Sequence, residues 1–213
     1  MLPSMSLPAL QTGDLLLFSG RGWSSDVIRW FTGSNWTHVG VIVCLDEAGE
    51  PLVFESTLSP ESVDLFRGEA CSGVTLVPLS RRIADYQGDI VLRRREGAPL
   101  GGRQRRLVRR LVQRLYRRPY RHYLWRQLLD AWPGVRRDYR GMFCSELVAE
   151  LYRRLGWLPR DIRAGGYVPG HFGQDEFLLQ EGALSAPLWL KRDRAMPSVG
   201  KHEKKSALVV AGR

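Results

Sequence analysis

Apolar residues arrive in two different rhythms along this chain. In the first half they form short continuous runs: Leu15 to Phe18, Thr37 to Leu45, Leu52 to Phe54, Val74 to Leu79 and Asp89 to Arg94. Runs of this length bounded by turn formers predict strands: Leu15 to Phe18 reads as a buried one, the β-branched-rich Thr37 to Leu45 as one covered on both faces, and Leu52 to Thr57 as its return strand. The punctuation is explicit at Thr12-Gly13-Asp14 and at Glu47, Gly49 and Pro51. Short connections of this kind favour antiparallel neighbours, so the expectation is an antiparallel sheet of about five strands.

From Gly101 the period changes. Leu107, Val108, Leu111, Val112 and Leu115 form a helical stripe that Pro119 stops. An aromatic-rich helix is predicted from Tyr120 to Trp132, before Pro133-Gly134. A third follows in which Leu147, Val148, Leu151 and Leu155 share one face, and Gly156 closes it as a helix-terminating glycine. A short helix, Asp26 to Phe31, is predicted behind Ser24 and Ser25. Gly165 to Gly170 reads as loop, and the tail from about Lys191 to Arg213 as polar, basic and without regular structure. The fold class is therefore α+β: one domain over 12–190, an arginine-rich helical insertion at 101–132 and a basic tail at 191–213.

Composition changes this picture in one respect. The 213 residues carry a net charge of +10, with an ordinary 44% hydrophobic and 25% charged fraction. Ten arginines and no acidic residue lie between Arg103 and Arg126, and the rest of the chain is balanced. The excess therefore belongs to one segment. The plain expectation is a solvated arginine-rich helix packed through its apolar stripe. An anionic membrane surface, an acidic substrate or nonspecific nucleic-acid attraction are the other readings of Arg103–Arg126. No nucleic-acid recognition motif appears, so no specific nucleic-acid partner is expected. Cys44, Cys71 and Cys144 are too few and too scattered for a disulfide framework or a zinc site. No metal or cofactor is expected. No signal peptide or membrane-spanning run is visible, and a reducing, cytoplasmic setting with optional membrane association is the expectation.

Candidate chemistry centres on Met142-Phe143-Cys144-Ser145-Glu146-Leu147-Val148. The pattern places Cys144 in the first turn of a helix, where free backbone N–H groups and the macrodipole favour a thiolate. A thiolate hydrolase needs a base and a group that holds the base. His38 begins a strand, with Gly40 leaving room beside it; His122, His171 and His202 lie in a basic helical region, a loop and the tail. Glu55 shares the face of His38, Gly40 and Ile42 if the intervening turn is tight around Ala48 and sets Glu55 opposite Gly40. It then stands two residues, roughly 7 Å, from His38. A six-residue loop doubles that gap, and contact then needs a bulge or strong twist.

These residues resemble a family. Gly13 to Phe18, His38 to Val43, Val53 to Ser56 and Phe143 to Val148 look like the motifs of NlpC-type papain-like cysteine hydrolases. Here the cysteine helix comes last, which resembles the circularly permuted branch of YiiX/YebB-like amidases and peptidases, related in layout to lecithin:retinol acyltransferase-like enzymes. Tyr167 to Phe172 also looks like a family segment. The resemblance implies a permuted papain-like fold, with Cys144 as nucleophile, His38 as base and Glu55 as orienter. It implies cleavage of a peptide, isopeptide or lipid-linked amide through an acyl-thioenzyme. A lipid acyltransferase or phospholipase is the near alternative, and a catalytically silent basic binding module the distant one. Ser56 and Ser145 are poor rival nucleophiles, because neither lies in a nucleophile elbow.

Overall fold

The computed structural model describes residues 10–21, 25–26, 29–30, 33–46, 49–58, 60–120 and 141–193. The five apolar runs form β1 (Leu15–Gly20), β2 (His38–Val43), β3 (Leu52–Thr57), β4 (Gly73–Pro78) and β5 (Gly88–Arg93). Two-residue strands β6 (Arg95–Glu96) and β7 (Ala183–Leu184) make a separate ladder, and β8 (Leu188–Lys191) adds a sixth strand to the main sheet. The sheet order is β4-β3-β2-β1-β5-β8, antiparallel throughout. Among the described residues, α1 (Leu79–Asp85), α2 (Gly102–Leu115) and α3 (Cys144–Leu155) accompany it.

Several expectations need correction. The sheet has six strands rather than about five, and Lys191 ends β8 instead of opening an unstructured tail. Its ammonium donates to the carbonyls of Ile83, Ala84 and Tyr86, which end or follow α1. Leu79 does not finish a strand. It starts α1, because Pro78 has no N–H for a further ladder bond and its fixed φ of −53° suits a helix entrance. The Gly165–Gly170 stretch contains two 3-10 turns, Ala164–Gly166 and Pro169–Gly173. Of the predicted Tyr120–Trp132 helix, only Tyr120 is described, in a bridge with Met142; the remainder lies outside the described residues, as do 194–213 and parts of the Asp26–Phe31 helix.

Both faces of the sheet are covered, which is why its strands read as unbroken apolar runs. One face (Leu15, Leu17, Val39, Val41, Phe54) packs under α2 and α3. The other (Leu16, Phe18, Ile42, Val53, Leu92) packs against α1 and Tyr86. Leu147, Val148 and Leu151 of α3 are fully buried, each contributing about 1.5–3 kcal/mol, so tertiary packing holds this helix. Gly156 ends it at φ +82°, the left-handed conformation that glycine adopts without strain.

One irregularity positions the site. β2 pairs with β3 over three residues only, Val41–Val43 against Phe54–Leu52. Yet β2 remains paired with β1 as far as His38, and β3 with β4 as far as Thr57. The ladder between the two strands ends at Val41 and Phe54, and just beyond it Glu55 lies beside Gly40, two residues from His38.

Candidate active site

Cys144 is the first residue of α3 and is 5% exposed. The chain leading to it is fixed from both sides: Ser56 Oγ donates to the Met142 carbonyl at 2.8 Å, and Met142 N donates to the Pro119 carbonyl at 3.1 Å. Ser145 Oγ donates to the Tyr167 carbonyl at 2.7 Å. Both serines are thus committed to backbone carbonyls. The N-cap residue, Phe143, has no side-chain acceptor for the amides of the first turn, although Glu146 Oε2 accepts from its backbone N–H at 3.4 Å. Amides of a first turn left without an intrahelical partner suit a negative charge at Cys144.

His38 opens β2 opposite Phe18, their rings 5.2 Å apart. Its Nε2–H donates to Glu55 Oε2 at 2.6 Å. The Cys144 side chain lies close enough to the same imidazole to act on its charge. Burial alone would lower the His38 pKa. The charge and hydrogen bond of Cys144, followed by those of Glu55, outweigh burial and push it up to about 9.

Glu55 is 1% exposed. The β2–β3 register, continued one step, sets it opposite Gly40, the tight-turn alternative. A Cβ at position 40 would stand 2.8 Å from Val53 Cγ1 and 3.7 Å from Glu55 Oε2, so glycine keeps this space open. The two-residue offset between Glu55 and His38 is spanned by their side chains, and the β2–β3 register carries no bulge. Burial by itself would raise the Glu55 pKa, but the Arg82 charge and then the His38 hydrogen bond and charge hold it below its usual value.

Arg82 is the partner that sequence reasoning missed, because it lies on α1. It is 3% exposed, with Nε 2.7 Å from Glu55 Oε1 and Nη1 3.1 Å from Glu61 Oε2. The Nε contact is a close ion pair rather than a well-aligned hydrogen bond. Its guanidinium carbon lies 4.9 Å from the ring centroids of both Phe18 and Tyr86. Tyr120 was also missed; burial first, then the Cys144 charge, push its phenol pKa up, which places it in the electrostatic range of the sulfur.

The structure therefore joins Cys144, His38 and Glu55 in one chain of contacts, extended by Arg82. His171 stands apart: its Nδ1 accepts from Val168 N at 3.3 Å and burial lowers its pKa. His122 and His202 lie outside the described residues. A cleft of about 240 Å³ opens between α2 and α3, beside Gly141 and Met142 but not lined by Cys144 or His38. Among the described residues no helix is long and apolar enough to cross a membrane.

No protein-family model matches the chain, and no curated protein does. Among solved structures the chain is similar to the metalloprotein yiiX from Escherichia coli O157:H7 at 20% identity, over 86% of this chain and 98% of that one, with a TM-score of 0.48. Among the described residues of this chain, no three His, Cys, Asp or Glu side chains converge in a way that would hold a metal ion.

Proposed function

We propose that this protein is a cysteine hydrolase of the circularly permuted papain-like type, acting on a peptide, isopeptide or lipid-linked amide. The observation that carries the reading is the contact chain Cys144–His38–Glu55, in which a helix-entrance thiol meets an imidazole whose other nitrogen is held by a buried carboxylate. The order of elements, with the cysteine helix after the histidine strand, agrees with the permuted arrangement.

The mechanism runs as follows. The proton of the Cys144–His38 pair rests on the imidazole, and the sulfur attacks the amide carbonyl carbon. The oxygen that becomes negative faces the first turn of α3, where the Cys144 N–H is placed to donate to it. As the C–N bond breaks, His38 gives its proton to the departing nitrogen and an acyl-thioenzyme remains. His38 then takes a proton from water, the resulting hydroxide attacks the thioester, and the acid leaves as the sulfur is restored. Glu55 holds the ring in the required tautomer throughout, and Arg82 holds Glu55.

The test is acyl-enzyme trapping: wild type and Cys144→Ser are incubated with a panel of amides and lipid-linked amides, and intact mass is measured. The reading predicts an adduct on Cys144 and turnover that the substitution abolishes. Turnover unchanged by Cys144→Ser would end it.

A further inference from the structure

The loop between β3 and β4 presents two adjacent apolar side chains to solvent, Leu65 at 46% and Phe66 at 60% exposure. They are not exposed through looseness. Asp64, with no exposed surface, accepts from the backbone N–H groups of Phe66, Arg67 and Leu76 and from the Tyr116 hydroxyl. Leu65 N also donates to the Leu76 carbonyl at 2.8 Å. A buried carboxylate that accepts four hydrogen bonds thus fixes a loop whose apolar tip makes little use of the protein's own core. An apolar tip held outward in this way marks an interaction surface.

Arginines surround the tip. The Phe66 ring meets Tyr116 edge-on at 5.8 Å, and the Arg117 guanidinium lies 5.4 Å from the same tyrosine ring. Arg117 is the one described non-glycine residue with positive φ, +66°, a conformation uncommon for arginine. Its backbone N–H and the Arg118 carbonyl bond Val74, which covers the edge of β4 and fixes Arg117 beside the loop. Arg109 stands two helical turns before Tyr116, exposed, its guanidinium donating to the Leu45 carbonyl beside Asp46, with Arg105 one turn further and donating to the Leu100 carbonyl. Against these cations stand Asp46, 3.8 Å from the Arg109 guanidinium, Glu61, engaged by Arg82, and Glu69.

We propose that this face, with Leu65 and Phe66 at its tip and Arg109 and Arg117 beside it, docks on an anionic phospholipid surface. An aliphatic side chain beside an aromatic one suits insertion among acyl chains, whereas a nucleic-acid surface would reward the arginines and a stacking ring but not Leu65. The docking face adjoins the candidate active site through backbone contacts: Arg118 bonds Val74, and the next residue, Pro119, bonds Met142 two positions before Cys144. The inference goes beyond the hydrolase reading and does not depend on it.

The experiment is vesicle flotation of the full chain, using phosphatidylcholine vesicles with and without phosphatidylglycerol, at low and high salt. The same measurement on Cys144→Ala keeps it separate from catalysis. The wild type should float with phosphatidylglycerol vesicles, far less with phosphatidylcholine alone, and less at high salt. Leu65→Ser alone, and with Phe66→Ser, should weaken partitioning roughly tenfold or more while leaving the melting temperature near wild type. Arg109→Gln and Arg117→Gln should each cost roughly fivefold. Failure to bind phosphatidylglycerol vesicles, binding unchanged by the Leu65 and Phe66 variants, or tighter binding to duplex DNA that those variants leave intact would each overturn the proposal.

Discussion

Replacing Glu55 by glutamine keeps the side-chain volume and removes its charge from a site with 1% exposure. The carboxylate accepts from His38 Nε2–H at 2.6 Å through one oxygen and pairs with the Arg82 guanidinium, Nε at 2.7 Å, through the other. A glutamine has one oxygen for these two cationic partners, so its amino group must face one of them. The imidazolium then loses a charge-assisted hydrogen bond, worth about 1.5–3 kcal/mol, or the opposite charge that strengthens it. At about 1.4 kcal/mol per pH unit this lowers the His38 pKa by about one to two units. The Cys144 contribution, the larger of the two that raise it, remains. The midpoint should therefore move from about 9 into the range of roughly 7 to 8 without falling to the free-histidine value. Proton NMR titration of the histidine Cε1–H resonances measures this directly, with a His38→Gln spectrum for assignment. A wild-type midpoint at the ordinary histidine value, or one that Glu55→Gln leaves in place, would refute the reasoning.

Other outcomes follow from the same contacts. Cys144→Ala should lower the His38 midpoint further than Glu55→Gln does, since Cys144 is the greater cause of its elevation; the same titration ranks the two. Arg82→Met should destabilise the fold by about 3–5 kcal/mol by leaving Glu55 a buried charge with one partner fewer, read from urea unfolding, and Arg82→Lys should recover only part. Stability should also depend on pH through His38. Its folded pKa is raised from 6.5 to about 9, so its contribution is complete below 6.5 and is lost as pH rises through about 9. The wild-type melting temperature should fall across that window, and His38→Gln should flatten the fall.

The central strands were legible because both faces of the sheet are buried, so each carries a continuous apolar run, such as Leu15–Phe18, Val41–Val43 and Ile90–Leu92. Leu79 shows where this signal fails: it is as apolar as the strand before it, and only Pro78 marks the change to helix. β8 was missed because its residues are only partly buried at the edge of the sheet, where no strong pattern is imposed. At the candidate site the residue types of Cys144, His38 and Glu55 could be read, but their convergence depends on the β2–β3 register, which sets Glu55 beside Gly40 and which the turn sequence alone left open between two alternatives. Arg82 could not be found from sequence, because an arginine in a charged stretch reads as surface. Its burial arises from Phe18, Tyr86 and Glu55, which only the folded sheet assembles around it.

The central claim is that Cys144 is activated by His38. Its most direct measurement is the rate of chloroacetamide labelling at neutral pH, followed by intact mass and peptide mapping, with Cys44 and Cys71 in the same chain as internal standards. The account predicts that Cys144, though 5% exposed, labels first, and that His38→Ala slows it by about 10²-fold or more while Cys44 and Cys71 keep their rates. Labelling of Cys144 no faster than its two neighbours, or unaffected by loss of His38, would contradict it.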